Sequence, residues 1–95
     1  MKDDIGSIVL ATAGRDQEDL FFVVGKADGF LLLADGKRRK LSHPKKKNPT
    51  HVLPVDREGF VHPVFEQLQQ GNPVSDRALR GALAAFKEGI TLGER

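Results

Sequence analysis

The hydrophobic pattern changes character near Gly59. Short apolar runs separated by turn residues precede it, and an apolar period of 3.6 follows it. Ser7 to Ala13, SIVLATA, is apolar and β-branched and ends on Gly14-Arg15-Asp16, which predicts a strand and then a loop. Leu20 to Ala27, LFFVVGKA, predicts a second strand, and Asp28-Gly29 is a dipeptide favoured in two-residue hairpin turns. FLLLAD, from Phe30, predicts a third strand leading into another Asp-Gly pair, Asp35-Gly36. Arg38 to Ser42 reads as a fourth strand with Leu41 as its only large apolar side chain. Thr50 to Val55 reads as a fifth, in which Pro54 suits an edge or a strand end. Four to five short strands joined by tight turns are too few for a two-sheet sandwich and predict a small SH3-like barrel.

In the second half, Pro63 suits a first helical turn, Val64, Phe65 and Leu68 fall on one face, and Gly71-Asn72-Pro73 ends the helix. Ser75 then reads as an N-cap with Asp76 in the first turn. Leu79, Ala82, Leu83, Phe86 and Ile90 form one apolar stripe on a second helix expected to end near Gly89. The expected architecture is mainly β with a helical tail: a barrel over residues 1–58 and an αα-hairpin over 59–95, packed on it as one compact unit. Phe30, Phe65 and Phe86 are expected in the core. Of Phe21 and Phe22, a regular strand must turn one away from the barrel interior. That ring either packs beneath the hairpin, the preferred reading, or offers a surface for base stacking.

Composition narrows the class. The chain has 95 residues and no cysteine, which excludes disulfides and thiolate metal sites and makes a reducing cytoplasm the expected location. Its first residues, MKDDIGSIVLATAG, place two acids before a short apolar run, unlike a signal peptide, and no stretch has the roughly 18 apolar residues of a membrane span. A membrane is therefore not an expected partner. The oligomeric state stays open, with a monomer assumed.

Charge is distributed very unevenly. Residues 37–51, KRRKLSHPKKKNPTH, hold Lys37, Arg38, Arg39, Lys40, Lys45, Lys46 and Lys47 and no acid. The net charge is +2 and this stretch carries +7, so the rest of the chain sums to −5. Lysine-rich edges also guard sheets against aggregation, but a solubilising surface would intersperse acids. Sustained positive charge points to a polyanion that relieves the repulsion. Pro44 and Pro49 frame Lys45 to Lys47 and bias that segment toward extended backbone, so Lys45 and Lys47 share one direction, spaced for successive phosphates, and Lys46 faces another. On the expected fourth strand, Arg38 and Lys40 share the face opposite Lys37 and Arg39. The chain has no Trp or Tyr, so the expected contact is with the backbone and shape of folded RNA, not with a base sequence.

Other chemistry finds little support. His43, His51 and His62 lack helical ligand spacing and completing cysteines, so no metal or other cofactor is expected; His43 and His51 flank the lysines and suit phosphate contact. Asp16, Glu18 and Asp19 read as a solvated acidic loop, and Ser7, Ser42 and Ser75 have no recognisable base and orienting acid. An enzyme is not expected.

The runs Gly6 to Asp16 (GSIVLATAGRD), Phe22 to Val24, Leu33 to Gly36 (LADG) and Arg39 to Leu41, leading into Pro44 to Asn48 (PKKKN) and His51, resemble the KOW-domain RNA-binding proteins of bacteria. These are small SH3-like barrel proteins similar to a KOW-bearing large-subunit ribosomal protein of archaea and eukaryotes. The resemblance covers residues 5 to about 55, and the tail from Gly71 through Leu83 is also similar. It implies RNA binding, on ribosomal RNA or a ribosomal particle and so in translation, with ribosomal proteins as possible neighbours. Gly14 matches the motif's glycine, and Arg15 becomes a phosphate ligand. The following Gln17-Glu18-Asp19 is more acidic than the usual KOW loop. The expected RNA ligands are thus Arg15, Lys37, Arg38, Arg39, Lys40, His43, Lys45, Lys46, Lys47 and His51. The alternative is an SH3-like protein-interaction module that docks an acidic protein.

Overall fold

The computed structural model describes residues 5–14, 19–55 and 63–92, with side chains described as far as Glu88. Five strands form one antiparallel sheet: β1 (Ile8–Ala11), β2 (Leu20–Ala27), β3 (Phe30–Ala34), β4 (Lys45–Lys47) and β5 (Val52–Pro54). Their order is β4-β3-β2-β1-β5, and two helices follow, α1 (Pro63–Gln69) and α2 (Asp76–Leu92). Asp28 and Gly29, at φ 54° and 83°, make the two-residue turn joining β2 to β3. Pro54 lies on an edge strand, where no ladder N–H is required of it.

The sheet is curled like a barrel, and chain length explains why. β4 and β5 are its opposite edges, yet only Asn48 and a 3-10 turn, Pro49–His51, connect them. Strands about 4.8 Å apart would place those edges about 19 Å apart in a flat sheet. A 3-10 turn rises only about 2 Å per residue, so the edges must approach each other. A bulge at Val24, where the β2–β3 register shifts between Val23 and Gly25, bends the longest strand.

Curling gives the sheet two apolar faces. Val9, Ala11, Phe21, Val23, Leu31, Leu33 and Val52 fill the inside. Ile8, Phe22 and Ala34 on the other face pack with Val64, Leu68, Leu79, Ala82, Leu83 and Phe86 of the helices. Phe21 and Phe22 are both buried as a result. Phe22 meets the Phe65 ring edge-on, with centroids 5.7 Å apart, so the ring turned from the barrel interior lies under the helical part.

Helix ends follow the local sequence. Gly71 N–H donates to the Leu68 carbonyl and Asn72 N–H to that of Gln67, which closes α1 in a Schellman ending. Ser75 Oγ accepts from the Ala78 N–H at 3.0 Å and caps α2.

Three expectations need correction. Arg38–Ser42 is not a strand but a series of bends and turns, and the extended fourth strand is the lysine triplet itself. Phe30, at the hairpin end of β3, is 40% exposed, since little of the sheet extends past the turn to cover it. Helix α2 continues through Gly89 to Leu92. Phe60 and His62 lie outside the described residues, as does the side chain of Ile90. Among the described residues no helix is long and apolar enough to cross a membrane.

Candidate nucleic-acid interface

The loop from Asp35 to Leu41 is tightly bound to the domain. Asp35 Oδ1 accepts from the backbone N–H groups of Lys37 and Arg39, both at 2.9 Å, while the Arg39 carbonyl accepts from the N–H groups of Asp35 and Gly36. This side-chain-to-backbone closure is what an Asp before Gly favours, and it takes the place of the strand expected at Arg38 to Ser42. The loop is also pinned to α2. Asp76 Oδ1 accepts the Leu41 N–H at 2.7 Å, and Arg80 Nη1 donates to the Gly36 carbonyl at 2.7 Å. Gly36 has φ 78°, and a Cβ there would collide with the backbone carbonyl of Asp76. Only glycine allows this approach.

On this frame Lys37, Arg38 and Lys40 are exposed and Arg39 is half-buried. Arg38 Nη2 meets Asp19 Oδ2 at 2.7 Å, with the two side chains 61% and 42% exposed. A solvent-facing pair of this kind contributes about 0.2–1 kcal/mol and is readily exchanged for another anion. His43 is exposed, its Nδ1 3.0 Å from Ser42 Oγ.

The three lysines of β4 are separated by register. Lys47 is opposite Leu31 and Lys45 opposite Leu33, both on the inner face, whereas Lys46 is opposite Leu32 and points outward. Lys45 and Lys47 do share one direction, but that direction leads into the barrel. Lys47 is 7% exposed and donates from Nζ to the Ala13 carbonyl at 2.7 Å, a contact within the fold. Lys45 is half-buried, and exposed Lys46 lies 3.6 Å from Asp28.

Gly14, Lys47 and His51 come together. The Thr12 N–H donates to the His51 carbonyl at 2.8 Å, and Lys47 reaches Ala13, so the segment leaving β1 is held from two sides. A Cβ on Gly14 would sit 3.1 Å from Lys47 Nζ. The His51 side chain is exposed, at the end of the 3-10 turn. Arg15, together with Asp16 and Glu18, lies outside the described residues.

Sequence reasoning missed the contribution of α2. Arg80, Leu83, Ala84 and Lys87 recur at helical spacing and face Asp19, Leu20, Asp35, Lys37 and Arg38 across a cleft of about 290 Å3. The spacing of Arg80 and Lys87 was legible, but their proximity to the basic loop depends on the Asp76 and Arg80 contacts. Among the described residues no group of three or more His, Asp or Glu is placed to hold a metal ion.

No protein-family model matches the sequence, and no curated protein matches it.

Proposed function

We propose that this chain is a KOW-type SH3-like barrel that binds RNA by its phosphate backbone, with ribosomal RNA or a ribosomal particle as the target. The observation that carries this reading is the continuous stretch from Lys37 to Lys46. It presents exposed Lys37, Arg38, Lys40 and Lys46 from a loop and an edge strand fixed by Asp35, Asp76 and Arg80. A backbone held in place loses little further freedom on binding, so the attraction of its cations to phosphates is used more fully than that of a flexible tail. The order β4-β3-β2-β1-β5 and the short link between its edges suit an SH3-like barrel. Burial of both Phe21 and Phe22 fits a contact dominated by backbone over bases.

Co-sedimentation with ribosomal particles across a salt series tests the proposal. Four to six phosphate contacts give a log–log salt slope of about −3 to −5. The double variant Lys40→Glu/Lys46→Glu should lose association at moderate salt while keeping its thermal midpoint. Association that persists in this variant, or that does not respond to salt, rejects RNA-backbone binding and leaves the docking of a protein partner.

A further inference from the structure

We infer that α2 forms the second wall of a phosphate pocket, in which Lys37, Arg38, Arg80 and Lys87 hold one phosphodiester of the bound RNA and Asp19 competes with it for Arg38. The inference rests on the RNA reading above and extends its footprint from the loop to the helix.

Among the described residues, four cations from two separate elements line this cleft with two carboxylates. Both carboxylates are engaged: Asp35 Oδ1 by two backbone N–H groups, and Asp19 by Arg38. Leu20, Leu83 and Ala84 complete the wall between the charged groups and give a sugar an apolar surface to rest on. At roughly 30 Å3 per water, the space of about 290 Å3 equals some nine or ten molecules, enough for a phosphate group and part of its sugar. Arg80 is fixed by the Gly36 carbonyl, which sets the distance between loop and helix before any ligand arrives.

The Arg38 fork is matched to a phosphate in shape as well as charge. Asp19 meets it through one carboxylate oxygen, on a side chain that is 42% exposed. Exchanging Asp19 for a phosphate would let Arg38 act beside Lys37 and Lys87. Asp19 then tunes affinity downward and favours strongly anionic ligands over weak ones.

Binding of the full chain to an RNA stem-loop, measured by filter retention across a salt series, tests the pocket. Lys87→Gln should weaken binding about five- to eightfold in 0.1 M salt and reduce the salt slope by about 0.7–0.9, the effect of one lost phosphate contact. Asp19→Asn should tighten binding, a gain that misfolding cannot imitate. Unchanged affinity and slope in both variants, with binding still lost in Lys40→Glu/Lys46→Glu, overturns the pocket and leaves the RNA reading standing. If that double variant also binds normally, both fall.

Discussion

Lys47 Nζ lies 2.7 Å from the carbonyl oxygen of Ala13, so a lysine inside the barrel ties edge strand β4 to the segment leaving β1, with two strands between them in the sheet. Its neighbour Lys46 points out from the same strand. Adjacent residues of identical chemistry thus have opposite duties, one to closure and one to the surface.

Substituting each lysine separates those duties. Lys47→Gln should lower stability by about 1–2 kcal/mol, because a charge-assisted bond is lost in a closed space, and leave the RNA salt slope nearly unchanged. Lys46→Gln should do the reverse, with stability within about 0.5 kcal/mol and a slope smaller by about 0.7–0.9. Urea unfolding and salt-dependent RNA binding on the same samples read both.

Gly36→Ala should be the most damaging of the glycine changes in the turns of the sheet. At Gly29, also at positive φ, a Cβ meets nothing within 4 Å, so Gly29→Ala should cost only the left-handed backbone penalty of about 1–2 kcal/mol. At Gly36 the collision with Asp76 adds to it and should unseat the basic loop. Thermal unfolding should rank the two, and RNA affinity should fall further for Gly36→Ala.

Asp76→Ala removes the acceptor for the Leu41 N–H and a favourable charge in the first turn of α2. The expected loss is about 1–2 kcal/mol, with faster amide hydrogen exchange at Leu41 than at the β2 amides. Unchanged exchange at Leu41 would show that the loop does not depend on the helix.

Phenylalanine truncation should follow position and not residue type. Phe22→Ala leaves a cavity between sheet and helices and should cost about 3–5 kcal/mol, whereas the 40% exposed Phe30 should cost distinctly less when changed to Ala. Denaturant midpoints give the comparison.

Much of the framework was legible because local chemistry and tertiary packing agree there. The short apolar runs of β1 to β3, the Asp28-Gly29 turn, Pro63 and the Ser75 cap all act within a few residues of themselves. The basic stretch was harder. Arg38 to Ser42 has a strand-like pattern, but its hydrogen bonds go to Asp35 and Asp76, and the second of these is 35 positions away. Lys45, Lys46 and Lys47 cannot be told apart by composition, and only pairing with Leu33, Leu32 and Leu31 decides which one is buried. The same limit hid Arg80 and Lys87, whose role depends on where α2 packs.

The short link from β4 to β5 also orders assembly in time. Hairpins β1–β2, β2–β3 and β3–β4 join neighbours in sequence, but β5 must find β1, the most distant strand, and can do so only after the intervening sheet has begun to curl. Pairing of Val52 with Ala11 is therefore the step with the largest loop-closure cost, and it belongs late in folding. A chain delayed before that step has two open strand edges. Mutual repulsion among the β4 lysines discourages intermolecular pairing at one of them, while the β1 edge stays vulnerable until β5 covers it.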